Sequence, residues 1–201
     1  MSTSGTQGAR APGSCFTKAD LRQRVRAVLT TMPSSARQEA SSQALALLRQ
    51  QKLWKCAQTI LFYAPLEGEL DVWPLVAETL AAGNTVTLPR FDPEKKLYAI
   101  CPITDPRKDL ELGHFGIREP AQHCLSMAIS RLDFVLVPGV AFDLHGRRLG
   151  RGRGFYDQLL PFVLGKTCGV AFDEQIVEAI PVESHDVRVN SILTPTRWVE
   201  L

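Results

Sequence analysis

The sequence has no long apolar run. Nothing in its 201 residues approaches the ~18 consecutive apolar residues needed to cross a bilayer, so no membrane span is expected. A disulfide scaffold is missing too. The five cysteines, Cys15, Cys56, Cys101, Cys124 and Cys168, are odd in number and form no CxxC pair. They read as free thiols of a reducing compartment, and the expected location is cytoplasmic. The four histidines make no HExxH motif and no Cys/His cluster, which argues against structural zinc. Charge of one sign is also lacking. A formal net charge of +2 gives no electrostatic case for a nucleic-acid partner. Residues Met1 to Phe16 are small and polar with one arginine and no apolar h-region. They are expected to be a disordered tail, not a secretory signal. What remains, 45% hydrophobic and 22% charged overall, suits one domain over 17–201 with a real core.

The periodicity predicts alternating helices and strands. Thr17 and Asp20 form a TxxD start, followed by Leu21, Val25, Val28 and Leu29 at helical spacing until Met32-Pro33. Ser35 and Gln38 suggest a second capping box, ahead of the stripe Ala40, Ala44, Leu47 and Leu48. Thr59–Tyr63 reads as a buried strand. Asp71–Ala82 reads as a helix capped by Gly83, and Thr85–Leu88 as a strand stopped by Pro89. Phe91–His114 is expected to be irregular or hairpin-like. Leu132–Val137 is the clearest strand, a helix is expected from about Phe155 to Val163, and Cys168–Phe172 is another strand. One or two edge strands are expected between Ile192 and Leu201. The alternation implies α/β layers around a mostly parallel sheet.

The chemistry is concentrated between the clearest strand and the helix after it, from Pro138 to Asp157. Gly150, Gly152 and Gly154 alternate with Arg151 and Arg153, and Arg147 and Arg148 precede them. No acid falls between Asp143 and Asp157. Glycines let backbone N–H groups approach an anion, a following helix N-terminus favours negative charge, and strand carboxyl ends are where open α/β sheets bind ligands. The loop is neither a Walker A motif nor a GxGxxG fingerprint. Alone, it therefore says only "anion-binding". A flexible turn with solvated arginines, an RGG-like RNA-binding segment and a sugar-phosphate isomerase loop all compete at this point.

Six motifs in order go further. Pro138-Gly139-x-Ala-Phe-Asp143 with Gly146, Arg148-Leu-Gly-x-Gly-x-Gly154 and Tyr156-Asp157 resemble the 5-formyltetrahydrofolate cyclo-ligase family. So do Lys18 with Arg22, Glu69-Leu-Asp71, Leu88-Pro-Arg90, Gly116–Pro120, and Ile180-Pro181 followed by His185-Asp186. The resemblance covers nearly the whole chain after the tail. Val72, Phe155 and Asn190 depart from the family's usual residues.

The resemblance implies a three-layer α/β/α sandwich with a mostly parallel central sheet. It also implies an enzyme that uses ATP and Mg²⁺ to convert 5-formyltetrahydrofolate, polyglutamylated or not, to 5,10-methenyltetrahydrofolate. ATP phosphorylates the formyl oxygen, nitrogen 10 attacks that carbon, and phosphate leaves. The implied ATP site comprises Lys18, Arg22, Arg148, Leu149, Gly150, Arg151, Gly152, Arg153, Gly154, Phe155 and Tyr156. Glu69, Arg151, Gly152, Arg153, Gly154 and Phe155 would meet the folate. Arg151, Arg153 and Tyr156 would be catalytic, and Asp157 and Asp186 would hold the metal. A monomer with no nucleic-acid or membrane partner is expected. A sugar-phosphate isomerase and a non-catalytic folate or nucleotide sensor are the rival readings. His145 and His185 are read as structural, and Cys168 as a core strand residue.

Overall fold

The structure is a computed structural model that describes residues 17–94, 97–113, 116–152, 154–183 and 186–201. Helix α1 (Lys18–Thr31) starts where the TxxD pattern puts it. The Thr17 hydroxyl accepts from the Asp20 N–H at 3.1 Å, and the Asp20 carboxylate accepts from the Thr17 N–H at 3.0 Å. Leu21, Val25 and Leu29 are buried, while Val28 turns outward.

Helix α2 (Ser34–Gln50) corrects the second capping box. Pro33 occupies the cap position, so Ser35 is already inside the first turn and no side chain caps this helix. A short helix α3 (Lys52–Cys56) was not anticipated. Helix α4 (Trp73–Ala81) begins two residues later than the pattern suggests, because the Asp71 carboxylate accepts from the Trp73 N–H at 2.9 Å and so belongs to the turn. Gly83 follows it at φ +78°, as a glycine C-terminal stop requires.

Among the described residues, seven strands form the main sheet. They are β1 (Thr59–Leu61), β2 (Thr85–Asp92), β3 (Leu97–Ile103), β6 (Phe134–Pro138), β9 (Lys166–Val170), β10 (Ser191–Leu193) and β11 (Trp198–Glu200), in the spatial order β11-β10-β9-β6-β1-β2-β3. The five inner strands are parallel, and β3 and β11 close the edges antiparallel. Two small hairpins sit outside it: β4 (Leu110–Leu112) with β5 (Arg118–Pro120), and β7 (Ala141–Phe142) with β8 (Arg148–Leu149).

Strand β2 does not stop at Pro89. It runs on to Asp92 against β3, so the segment expected to be irregular or hairpin-like opens with a long hairpin. Odd positions of β2 aim their backbone groups at β1: Thr85 N–H bonds Gln58 O, and Thr87 O accepts from Phe62 N–H. Strand pairing with β1 ends at Thr87, so the N–H that Pro89 lacks has no strand to meet.

Both sheet faces are covered. Ile60, Phe62, Phe134 and Leu136 share one core with Leu21, Val25, Ala44, Leu48, Leu75 and Val76 of α1, α2 and α4. Leu61, Val135 and Val137 face the other way, onto Tyr156, Leu159 and Leu160. Alternate positions of one strand thus feed opposite layers, which makes a three-layer α/β/α sandwich. The second layer is thin, because the expected nine-residue helix is a five-residue α5 (Phe155–Leu159) followed by a 3-10 turn, Leu160–Phe162.

Candidate active site

After β1 the chain crosses to β2 on one side; after β6 it crosses to β9 on the other. Neighbouring strands whose connections diverge leave a crevice at their carboxyl ends. A cleft opens there, lined by Tyr63 and Glu69 beyond β1, Pro138 and Gly139 at the end of β6, and Arg148, Gly150, Arg151, Gly154, Phe155, Tyr156 and Asp157 of the glycine loop.

The loop is not one continuous phosphate cradle. Its first part folds into the β7–β8 hairpin, turned by Gly146 at φ +81°. Asp143, fully buried, caps that turn by accepting from the N–H groups of His145 and Arg147, and pairs with Arg147 at 3.6 Å. Arg147 is thereby committed to the turn. Arg148 is buried, donates to the Asp157 carboxylate and lies 5.4 Å from the Tyr156 ring. Leu149 points into the core and its carbonyl accepts from the Val140 N–H at 2.7 Å. Gly152 and Gly154 have φ of +96° and +70°, so a side chain at either would be strained.

Residues far apart in sequence converge on this loop. Arg22 of α1 donates to the Gly150 carbonyl at 2.9 Å. One turn earlier, Lys18 pairs with Asp186 at 2.9 Å and Glu183 at 3.2 Å. Burial opposes charge on Lys18, but the hydrogen bonds it donates to these two carboxylates prevail and hold its pKa above the ordinary value. Arg151 crosses the cleft to Glu69, with its Nε 3.0 Å and its Nη2 2.9 Å from the same oxygen. The other Glu69 oxygen accepts from the Leu66 N–H at 2.9 Å. The cavity left is about 150 Å³, below the ~300–1,000 Å³ of most ligand pockets, as expected with an ion pair drawn across it.

Tyr156 is buried and its hydroxyl has no hydrogen-bond partner among the described residues. Burial first, and the Glu69 carboxylate second, hold that hydroxyl well above the usual phenol range, so it is a neutral donor. A buried donor without an acceptor is costly unless a ligand supplies one. Arg153 lies outside the described residues.

Sequence reasoning missed the aromatic side of the cleft. Phe91, Tyr98 and Phe155 pack in series as tilted rings, with centroids 5.0 and 4.1 Å apart, and Tyr156 lies 4.6 Å beyond. Tyr98 sits in the stretch expected to be irregular or hairpin-like, and nothing local marked it. Glu119 also lines the cleft and accepts from the Phe91 N–H at 3.1 Å. It falls inside the Gly116–Pro120 motif, which was the available signal. Of the departures, Val72 is a core residue before α4, and Asn190 bonds the Thr167 N–H and hydroxyl between β9 and β10.

The profile of the 5-formyltetrahydrofolate cyclo-ligase family matches residues 15–195. The 5-formyltetrahydrofolate cyclo-ligase of Escherichia coli K12 is 33% identical over 181 residues, which covers 88% of this chain and 97% of that one. The Mus musculus enzyme of the same name is 26% identical over 190 residues, covering 88% and 90%. The structure of Aquifex aeolicus 5,10-methenyltetrahydrofolate synthetase superposes with a TM-score of 0.82 at 32% identity, over 91% of this chain and 92% of that one. A Mycoplasma pneumoniae 5,10-methenyltetrahydrofolate synthetase, 18% identical, shares the fold with a TM-score of 0.72. With a matching profile across nearly all of its length and relatives matched almost end to end, the chain belongs to the 5-formyltetrahydrofolate cyclo-ligase family.

Proposed function

We propose that this protein converts 5-formyltetrahydrofolate to 5,10-methenyltetrahydrofolate at the expense of ATP, releasing ADP and phosphate. The observation that carries the reading is the convergence of Arg22, Glu69, Arg151 and Tyr156 on one cleft at the sheet's switch point. An amide oxygen leaves poorly and a phosphate leaves well. The formyl oxygen takes the γ-phosphoryl group as ADP departs; nitrogen 10 then attacks the formyl carbon and phosphate is expelled. In phosphoryl transfer the protein mainly positions groups and neutralises charge.

The residues divide the work accordingly. Glu69 accepts from the amide and amine donors of the pterin edge, in a geometry only a carboxylate offers. The Phe155 and Tyr98 rings suit a flat ring system. Arg151, with Arg153, meets the transferred phosphoryl group, and the Tyr156 hydroxyl donates to it. Gly150, Gly152 and Gly154 allow close approach of the nucleotide, with Leu149 contributing backbone only. Lys18 and Arg22 set the α1 side of the ATP site, and Arg148 acts by holding Asp157.

Carboxylates are the hard ligands Mg²⁺ takes alongside phosphates. Arg148 donates to the Asp157 carboxylate, and Lys18 and the Glu183 N–H donate to that of Asp186, so both acids are ionised oxygen donors held in place by their partners. Asp157 and Asp186 would hold the ion, whose chemistry is to neutralise the phosphates. The protein acts as a cytoplasmic monomer, with 17–201 as one catalytic domain. No described helix is long and apolar enough to cross a membrane. A coupled phosphate assay tests the reading: release of one phosphate per methenyl product, and none without 5-formyltetrahydrofolate, is expected. Steady ATP hydrolysis in the absence of the folate would count against it.

A further inference from the structure

Outside the cleft, one cluster joins three different metal-ligating groups. Asp109 lies in the turn between β3 and β4, and His123 and Cys124 lie just after β5. One ligand atom from each lies within 4.8 Å of the others. The His123 Nε2 is 3.1 Å from Asp109 Oδ1, and the Cys124 thiol donates to the Asp109 carbonyl at 3.6 Å. From the sequence, adjacent His123-Cys124 looked like no cluster at all, because the third member is 14 residues away and reaches them only through the β4–β5 hairpin.

We propose that Asp109 Oδ1, His123 Nε2 and Cys124 Sγ form a site for a divalent cation of the zinc class, which clips together the two ends of the β4–β5 hairpin.

Three features support it. The carboxylate is already oriented: its Oδ2 accepts from the Thr104 N–H, the Thr104 hydroxyl and the Asp105 N–H at 2.7–2.9 Å, which aims Oδ1 at His123. Oriented ligands of this kind are what outer-shell hydrogen bonds provide at metal sites. The spacing also fits. A tetrahedral ion with Zn–O and Zn–N bonds of ~2.0–2.1 Å holds those two atoms about 3.4 Å apart, close to the 3.1 Å here. The ligand set chooses the metal, because thiolate and imidazole favour zinc-class ions over Mg²⁺. Burial first and the Asp109 charge second disfavour a bare thiolate at Cys124. A dication between the two removes that repulsion; on binding, the Cys124 thiol proton is released to solvent and His123 ligates through the Nε2 lone pair of the neutral ring. Arg90 fixes the chain here by donating to the Ala121 and Cys124 carbonyls at 2.7 and 2.9 Å. The same hairpin carries Ile117, Arg118 and Glu119 to the cleft, so the ion would brace one of its walls.

The probe is Co²⁺, then Zn²⁺, added to the reduced full-length protein with no nucleotide or folate, so the outcome is independent of the reaction proposed above. Wild type should bind about one Co²⁺ with a near-ultraviolet thiolate-to-cobalt charge-transfer band that Zn²⁺ abolishes. Zn²⁺ should also raise its melting temperature. His123→Ala, at an exposed ring, should keep the fold and lose more than the ~10–100-fold in affinity that losing an outer-shell partner costs. Cys124→Ser should lose the band, and Cys56→Ser should keep it. A wild-type protein without the band, or a band that survives Cys124→Ser, would overturn the site.

Discussion

Removing the Asp157 carboxylate exposes how much of the loop rests on one buried arginine. The Arg148 side chain is 5% exposed and Asp157 is 29% exposed. Breaking a fully buried pair costs about 3–5 kcal/mol, because the remaining charge loses its counter-ion. Partial exposure of the acid admits screening, so Asp157→Ala should cost about 2–3 kcal/mol. At ~2–4 °C per kcal/mol for a chain of this size, melting should fall by ~4–12 °C. Asp157→Asn keeps a neutral acceptor for Arg148 and should cost about 1 kcal/mol, the difference between a charge-assisted and a neutral hydrogen bond. Thermal melts of both variants without ligands check this. An Asp157→Ala protein that melts with wild type would refute the claim that the pair organises the loop. Destabilisation alone says nothing about Mg²⁺; for that, half-maximal activity against Mg²⁺ must shift in Asp157→Asn, and likewise in Asp186→Asn.

Tyr156→Phe deletes a buried hydroxyl that bonds nothing among the described residues, so the melting temperature should hold or rise while turnover falls; unchanged turnover would exclude the hydroxyl from the chemistry. Arg151→Ala should weaken ATP use roughly ten- to hundred-fold, the equivalent of a ~1.5–3 kcal/mol phosphate contact, without unfolding the protein, as equilibrium nucleotide binding and a melt would show. Glu69→Gln should raise KM for the folate far more than for ATP; equal changes in the two would remove Glu69 from the pterin edge. Burial pushes the Cys168 thiol up to about 12, so near pH 8 it is protonated, and a maleimide should label exposed Cys56 while sparing Cys168 until the protein unfolds.

Elements with a local cause were legible in the sequence. Thr17 and Asp20 carry their own cap, and Phe134–Val137 is a buried strand on composition alone. Errors arose where a neighbour decided the outcome. Pro89 looks like a strand end until one sees that β1 has already departed on its N–H side. Ser35 looks like a cap until Pro33 takes that position. The loop's glycines and arginines marked the cleft, but not which arginines were free. Arg147 and Arg148 are taken by Asp143 and Asp157, acids that flank the run, and among the loop's described arginines Arg151 is the one that reaches across the cleft. Of the aromatic wall the sequence marked Phe155 and Tyr156 but not Phe91 and Tyr98, because Tyr98 meets Phe155, with Phe91 behind it, only after β2 and β3 pair.

The central claim concerns one reaction, and its product can be followed by its own absorbance. Purified protein mixed with 5-formyltetrahydrofolate, ATP and Mg²⁺ should accumulate 5,10-methenyltetrahydrofolate. The signal should stay at baseline when ATP is omitted. Equal product with and without ATP, or none with it, would contradict the account.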